Sequence, residues 1–225
     1  MRRDRARRLG LAAGLVVAGV LLAAGLAFGA APIIAQGDDT YSASTYTANQ
    51  GEVVQLQITG DTHNATAHQS GPDGQALFRS PTISSGSSGV QGTQYLSAGD
   101  YTFFCTVHPS TMQATLHVTS AGTPQARPSA QLTVRSKKLS KVSKKGLMVA
   151  INSTAKVNGA SLVAKLGKTT IGQASGQSFS VGQQFATVKL SKAGKRKLMG
   201  KSKATVTVTA TIPFGSPAAA KAKLT

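Results

Sequence analysis

Acidic residues are missing from the second half of this chain. After Asp100 the sequence contains no further Asp or Glu, whereas residues 121–225 carry nineteen Lys and Arg. Residues 36–120 carry six acidic residues against one arginine, and residues 1–35 carry five arginines against one aspartate. So uneven a distribution excludes a uniformly basic protein and indicates separate parts that meet different partners.

Disulfide scaffolds are also excluded, because Cys105 is the only cysteine and an internal bridge needs two. Aromatic residues make up only 5% of the chain. The prevalence of Gly, Ser, Thr and Val favours β structure, and the length leaves room for two domains of ordinary size. We therefore expect a two-domain, all-β protein.

The N-terminus carries a targeting pattern. Five arginines between Arg2 and Arg8 precede an uncharged, apolar run of 27 residues from Leu9 to Ala35. A bilayer needs about 20 such residues, and a signal-peptide core has roughly 7 to 15. Basic residues before an apolar run stay on the cytoplasmic side. Residues 1–36 are therefore predicted to be an export or anchor helix, either a cleaved signal peptide or a transmembrane anchor, with the remainder extracytoplasmic.

Short alternating segments predict strands in the region that follows. Apolar and polar residues alternate from Glu52 to Thr59, from Tyr101 to Cys105 and from Ala114 to Val118, which is typical of half-buried strands. The polar segment 37–50 is expected to be a tether leading into a first edge strand. The Gly- and Ser-rich segment 86–92 is expected to be a loop.

A metal-ligand pattern lies between the last two of these strands. Cys105, His108 and Met112 bring a thiol, an imidazole and a thioether within eight residues. These are the ligands of a type 1 copper site, which needs one Cys, two His and a weak axial Met. The second histidine has to come from an earlier segment, where His63 and His68 are the candidates.

Several motifs of this region match a known family. They are Gly60–Asn64, Gly71–Gly74, Leu96–Tyr101, and the run Phe103–Pro109 with Met112 after it. In these motifs the region resembles the cupredoxins, the plastocyanin and amicyanin type of small blue-copper electron carriers. The resemblance implies a Greek-key β-sandwich of about eight strands, one type 1 copper and transfer of single electrons.

The resemblance extends over about residues 40–120 and implies a ligand set. Cys105 corresponds to the thiolate, His63 and His108 to the two imidazoles, and Met112 to the axial thioether. In the family the edge of the histidine in the Cys loop is the exposed electron port. Three residues separate the second imidazole from the thioether here, where plastocyanins have four and amicyanins two.

The resemblance also favours one upstream histidine over the other. His63 comes directly after a strand and before Asn64, as the family pattern requires, and His68 is then expected at the surface. Asn64 corresponds to a family asparagine that ties the two ligand loops together, with Thr106 as its expected partner. His117 alternates with buried strand positions and is predicted to be solvated.

A second domain is predicted beyond a linker. Residues 121–129 contain Gly and Pro and separate the copper region, residues 37–120, from residues 130–225, where short alternating segments recur. The clearest strand is Val206–Ile212. Several short strands over about 100 residues suggest an immunoglobulin-like sandwich. The segment Ser191–Gly200 is expected to be a turn leading into a strand.

The basic stretches of this second domain, Lys137–Lys145 and Lys192–Lys203, allow three interpretations. They form a docking surface for a polyanion such as an anionic cell-envelope polymer or lipid, or a solvated β surface, or a face that lies against the acidic copper domain. Nucleic acid is not expected, because the location is extracytoplasmic and no aromatic residues are interleaved for base stacking.

Taken together, the sequence predicts an extracytoplasmic type 1 copper protein that carries electrons between redox protein partners and is not an enzyme. The N-terminal segment is its expected contact with the membrane. Two alternatives stay open: a protein that delivers or stores copper, and a surface adhesion protein that uses a cupredoxin fold as a scaffold.

Overall fold

The computed structural model describes residues 30–225. The predicted N-terminal helix lies outside the described residues, except at its end, where Ile33–Ala35 form a strand. Within residues 30–225, none of the helices has the length and apolarity needed to cross a membrane. The described residues form two all-β domains, each with its own hydrophobic core.

Seven strands build the first domain. They are β1 (Ile33–Ala35), β2 (Thr45–Gln50), β3 (Gln55–Ile58), β4 (Thr66–Ala67), β5 (Gly86–Gly89), β6 (Gly99–Phe104) and β7 (Gln113–Gly122). One sheet has the order β1-β3-β5 and the other the order β2-β7-β6-β4. The apolar residues of the alternating segments face inward as predicted, with Leu56, Phe103 and Leu116 fully buried.

The first domain begins earlier than the boundary predicted at residue 36. Ile33 and Ala35 are fully buried, and β1 pairs in parallel with β3. The segment predicted as a tether also belongs to the core, since Tyr41 is buried and bridges back to Ala35. A short apolar run at the end of a longer one carries no local mark that distinguishes a buried strand from a membrane segment.

The segment predicted as a Gly/Ser loop contains β5, which pairs antiparallel with β3. Its sequence, Gly86-Ser-Ser-Gly89, has no apolar face, and its residues are exposed or half-buried. Because only main-chain hydrogen bonds hold this edge strand, its side chains give no periodic signal. The strand was therefore not predictable from the pattern.

Seven strands and two short helices build the second domain. They are β8 (Ala130–Val134), α1 (Leu139–Lys145), β9 (Leu147–Ser153), β10 (Val157–Leu166), β11 (Thr169–Phe179), β12 (Gly182–Val188), α2 (Lys192–Leu198), β13 (Ala204–Thr211) and β14 (Ala218–Leu224). The sheets have the orders β11-β10-β13-β14 and β12-β9-β8, and both contribute to one core.

The prediction of a turn and strand at Ser191–Gly200 is wrong, because this segment contains α2. The Ser191 hydroxyl caps the helix by accepting the N–H of Gly194 at 2.9 Å, and good helix formers follow it. Gly194 lies against strand β11, where an added Cβ would be 1.9 Å from the Ile171 carbonyl oxygen. A helix this short has too few turns to show its period in the sequence.

The two domains meet at a contact that we call the domain joint. Within it, the buried carboxylate of Asp73 accepts the N–H of Phe214 at 2.9 Å. The same carboxylate accepts the N–H of Gln75 at 3.1 Å and a guanidinium N–H of Arg79 at 3.2 Å. Burial alone would raise the pKa of Asp73, but these hydrogen bonds and the Arg79 charge hold it below its ordinary range.

Stacking completes the joint around the Phe214 ring. The guanidinium carbon of Arg79 lies 4.2 Å from the ring centroid, and the Tyr95 ring lies 6.2 Å away. Arg127 donates to the Phe214 carbonyl at 3.0 Å. None of the ion pairs formed within residues 30–225 joins a Lys or Arg after residue 120 to a carboxylate, so the basic domain does not lie against the acidic one through ion pairs.

Candidate metal centre

Three potential metal ligands converge at one end of the first domain. The ligand atoms of His63, Cys105 and His108 all lie within 4.8 Å of one another. His63 and Cys105 are fully buried, and the His108 side chain is 23% exposed. The thiol forms no disulfide. A buried thiol between two imidazoles is a donor set that suits copper or zinc.

Two different parts of the chain position these side chains. Cys105 directly follows β6, and the turn after it carries His108 and returns to β7 at Met112. The Cys105 N–H donates to the Met112 carbonyl and the Met112 N–H to the His108 carbonyl, both at 3.0 Å. His63 follows β3 and exchanges two main-chain hydrogen bonds with Ile83. The ends of both sheets therefore meet at the site.

The hydrogen bonds of His63 leave one ring nitrogen available for a metal. Its Nε2 lies 3.0 Å from the carbonyl oxygen of Gln36. Because a carbonyl only accepts, Nε2 carries the proton and Nδ1 keeps its lone pair. That Nδ1 lies 4.0 Å from the Cys105 sulfur. Ring orientation by a partner on the opposite nitrogen is the usual arrangement of metal-binding histidines.

His108 has a matching arrangement. Its Nδ1 is buried and has no hydrogen-bond partner among the described residues, while its Nε2 approaches a carboxylate oxygen of Asp39 at 3.3 Å. A buried ring nitrogen without a partner is costly unless something else binds it. The imidazole rings of His63 and His108 are 5.1 Å apart between centroids. The residues present therefore fit a metal ion held by two Nδ1 atoms and one thiolate.

Asn64 joins the two ligand loops through its side chain. Its Nδ2 donates to the hydroxyls of Thr106 at 2.6 Å and Thr82 at 2.8 Å. Its Oδ1 accepts the Thr106 N–H at 3.0 Å and the Thr66 hydroxyl at 3.3 Å. Thr106 directly follows Cys105, so this network fixes the distance between the loop that carries His63 and the loop that carries the thiol.

The main chain of Asn64 also contacts the sulfur. Its N–H points to Cys105 Sγ at 3.5 Å, and its carbonyl accepts the Tyr41 hydroxyl at 2.6 Å. Burial, together with the nearby Cys105, raises the pKa of Tyr41 far above its ordinary range. Tyr41 therefore stays a neutral hydrogen-bond donor that holds Asn64 in place.

The structure places the other residues considered in the sequence, Met112, His68 and His117, in the core or at the surface. Met112 is fully buried in the same core as Cys105. His68 lies outside the cluster: it is exposed and its ring stacks on Phe104 with centroids 4.5 Å apart. His117 is also at the surface, where its Nδ1 pairs with Asp100 at 2.6 Å.

The sequence pattern did not predict three residues of the site. Gln36, Asp39 and Tyr41 all lie in the segment predicted as a tether, and all three contact the ligand residues or their support. Asp39 has a left-handed backbone with φ of 59°, which aspartate tolerates in turns. No local pattern marks these residues as part of a site that is centred about 65 residues further along the chain.

Comparison with known proteins gives limited similarity. No protein family and no curated protein matches the chain. Among solved structures, amicyanin from Paracoccus versutus is 23% identical, with a TM-score of 0.31, over 39% of this chain and 80% of that one. Auracyanin A from Chloroflexus aurantiacus, described as a blue copper protein, is 18% identical with a TM-score of 0.30, over 39% of this chain and 99% of that one. Similarity at this level does not assign a function.

Proposed function

We propose that the first domain holds one copper ion in a type 1 site and carries single electrons between redox proteins outside the cytoplasm. The observation that supports this most is the cluster of His63, Cys105 and His108. Within the described residues the Nδ1 of His108 has no hydrogen-bond partner, and the Nδ1 of His63 faces only the Cys105 sulfur, at 4.0 Å. In this proposal Met112 is the axial ligand.

Copper, when bound, supplies a one-electron couple whose potential responds to the axial ligand and to hydrogen bonds at the thiolate. The protein's own part is to keep the donor atoms still. The Asn64 network and the Gln36 carbonyl restrict the ligand loops, so little has to move when an electron arrives or leaves. The Asn64 N–H contributes a hydrogen bond at the sulfur.

His108 is the proposed site of electron entry and exit. It is the only one of the three clustered residues with a partly exposed side chain, and its outer nitrogen faces Asp39. A carboxylate at this edge favours redox partners with a positively charged surface. We propose no enzymatic reaction, because an electron carrier needs an exposed ligand edge rather than a substrate pocket.

The predicted location and accessory parts belong to the same proposal. The arginine-rich, apolar N-terminus supports export and attachment to a membrane, and the second domain is proposed to be an immunoglobulin-like module on the basis of its two sheets and single core. A copper delivery or storage protein remains the second candidate, because Cys and His ligands also bind Cu(I). An adhesion protein is less consistent with a fully buried thiol between two imidazoles.

The test is a visible absorption spectrum of residues 30–225 loaded with Cu(II) and titrated with ascorbate. These residues include β1, which a chain starting at residue 37 would lack. An intense thiolate-to-copper band that bleaches on reduction is expected, and Cys105→Ser and His63→Ala should each abolish it. The matched control, His68→Ala, should leave the band unchanged. A colourless protein that binds only Cu(I) would favour delivery or storage.

A further inference from the structure

A cationic groove lies beside α1 in the second domain, between this helix and the neighbouring ends of β9 and β12. Its volume is about 490 Å³. Five basic side chains line it: Arg135, Lys137, Lys138, Lys141 and Lys145. All five are exposed. The groove is large enough for a phosphate-bearing head group.

The charge of this groove is uncompensated. No Asp or Glu side chain exists after Asp100, and none of the ion pairs within residues 30–225 includes a cation of the groove. Neighbouring like charges repel one another, and here no Asp or Glu side chain of the second domain offsets the repulsion. An external anion would therefore be attracted without displacing a protein partner.

Exposed apolar side chains continue from the groove along the same sheet. Met148, on β9, lines the groove and is 49% exposed, and it pairs across the strands with Thr187. Phe185 precedes Thr187 by two positions on β12, is 60% exposed and points to the same outer face. Diagonal neighbours in a sheet are about 7–8 Å apart. The apolar surface and the cations therefore form one continuous patch.

We propose that this patch docks on a membrane surface rich in anionic phospholipids. The lysines and the arginine would contact lipid phosphates, and Phe185 and Met148 would enter the interface between head groups and acyl chains. Basic residues beside exposed apolar ones are the combination that binds such surfaces. A water-soluble polyanion accounts for the cations but gives no advantage to an exposed phenylalanine.

The test measures binding of copper-free residues 30–225 to vesicles by co-sedimentation. Both hydrophobic cores consist of residues within this range. The vesicles contain equal parts of phosphatidylglycerol and phosphatidylcholine, or phosphatidylcholine alone, in 0.1 M NaCl. One variant combines Lys141→Gln with Lys145→Gln. Its matched control combines Lys165→Gln, on β10, with Lys168→Gln, in the turn between β10 and β11, which removes the same charge from exposed positions of the other sheet and its hairpin. A third variant is Phe185→Ala, and sodium polyphosphate serves as a soluble polyanion.

The unmodified protein should bind the anionic vesicles and not the neutral ones. The groove variant should bind about 30-fold more weakly, corresponding to about 1 kcal/mol for each cation removed, and the control pair less than threefold more weakly. Phe185→Ala should lose about tenfold on vesicles and leave binding to polyphosphate unchanged.

Three outcomes would overturn the proposal. If the two lysine-pair variants lost vesicle binding equally, binding would depend on the overall charge of the domain and not on the groove. Absence of vesicle binding would remove the lipid as a ligand. Unchanged vesicle binding by Phe185→Ala, together with equally tight binding of polyphosphate, would identify a soluble polyanion instead. Because no copper is present, each result is independent of the electron-transfer proposal.

Discussion

Asn64 links the two ligand loops, and replacing it by alanine tests whether the protein itself preorganises the metal centre. Its side chain makes four hydrogen bonds, with donor–acceptor distances from 2.6 to 3.3 Å. Each is worth about 1 kcal/mol net, and the Thr106 N–H, left without a partner, adds to the loss. We therefore expect Asn64→Ala to lower the free energy of unfolding of the first domain by about 4 kcal/mol.

Tyrosine fluorescence measures this loss in copper-free protein. The chain has no tryptophan, and all four tyrosines lie in the first domain, at positions 41, 46, 95 and 101. Urea unfolding followed by this signal therefore reports on the first domain and, through Tyr95, on its joint with the second. For a domain of this size the expected loss lowers the midpoint by about 2 M urea.

Two further variants make the result interpretable. Thr106→Val removes only the hydroxyl that accepts from Asn64 and should cost about 1 kcal/mol. Gln69→Ala, at an exposed position, should change the stability by less than about 0.5 kcal/mol. If Asn64→Ala cost no more than Thr106→Val, the side-chain network would not hold the loops together and the reasoning would be refuted.

Three other perturbations follow from the structure. Because the pKa of Asp73 is lowered in the folded protein, its hydrogen bond to Phe214 contributes fully near neutral pH and is lost as the pH falls below about 4. Small-angle scattering should show the two domains separating in that acidic range, whereas Asp73→Asn should show a weakened joint at every pH. Gly194→Ala would push a Cβ against the Ile171 carbonyl and should cost the second domain about 2 kcal/mol, seen by circular dichroism with the tyrosine transition unchanged. In copper-loaded protein, Asp39→Asn removes a negative charge beside the His108 imidazole and should raise the midpoint potential by a few tens of millivolts. An unchanged potential would contradict this placement of the carboxylate.

The sequence by itself predicted the features that depend on residues close together along the chain. The alternation of β3, β6 and β7 is a local property, because successive side chains of a strand point to opposite faces. Cys105, His108 and Met112 lie within one connection between paired strands, so their proximity follows from chain geometry alone. The concentration of basic residues after residue 120 is likewise a fact of composition.

Tertiary structure decided what local pattern leaves open. The sequence favoured His63 over His68 only through the family resemblance, and the packing of the two sheets brings the first to the thiol and leaves the second at the surface. Gln36 and Asp39 reach the site because β1 pairs with β3, which no nearby residue signals. The Gly- and Ser-rich strand β5 depends on its main-chain pairing with β3, and the start of α1 depends on a hydrogen bond from the Leu139 N–H to the Thr225 carbonyl. The alternation of side chains predicts which face of a strand is buried. Which strands pair with one another depends on how they pack around the shared core, and this pairing brings the residues of the site together.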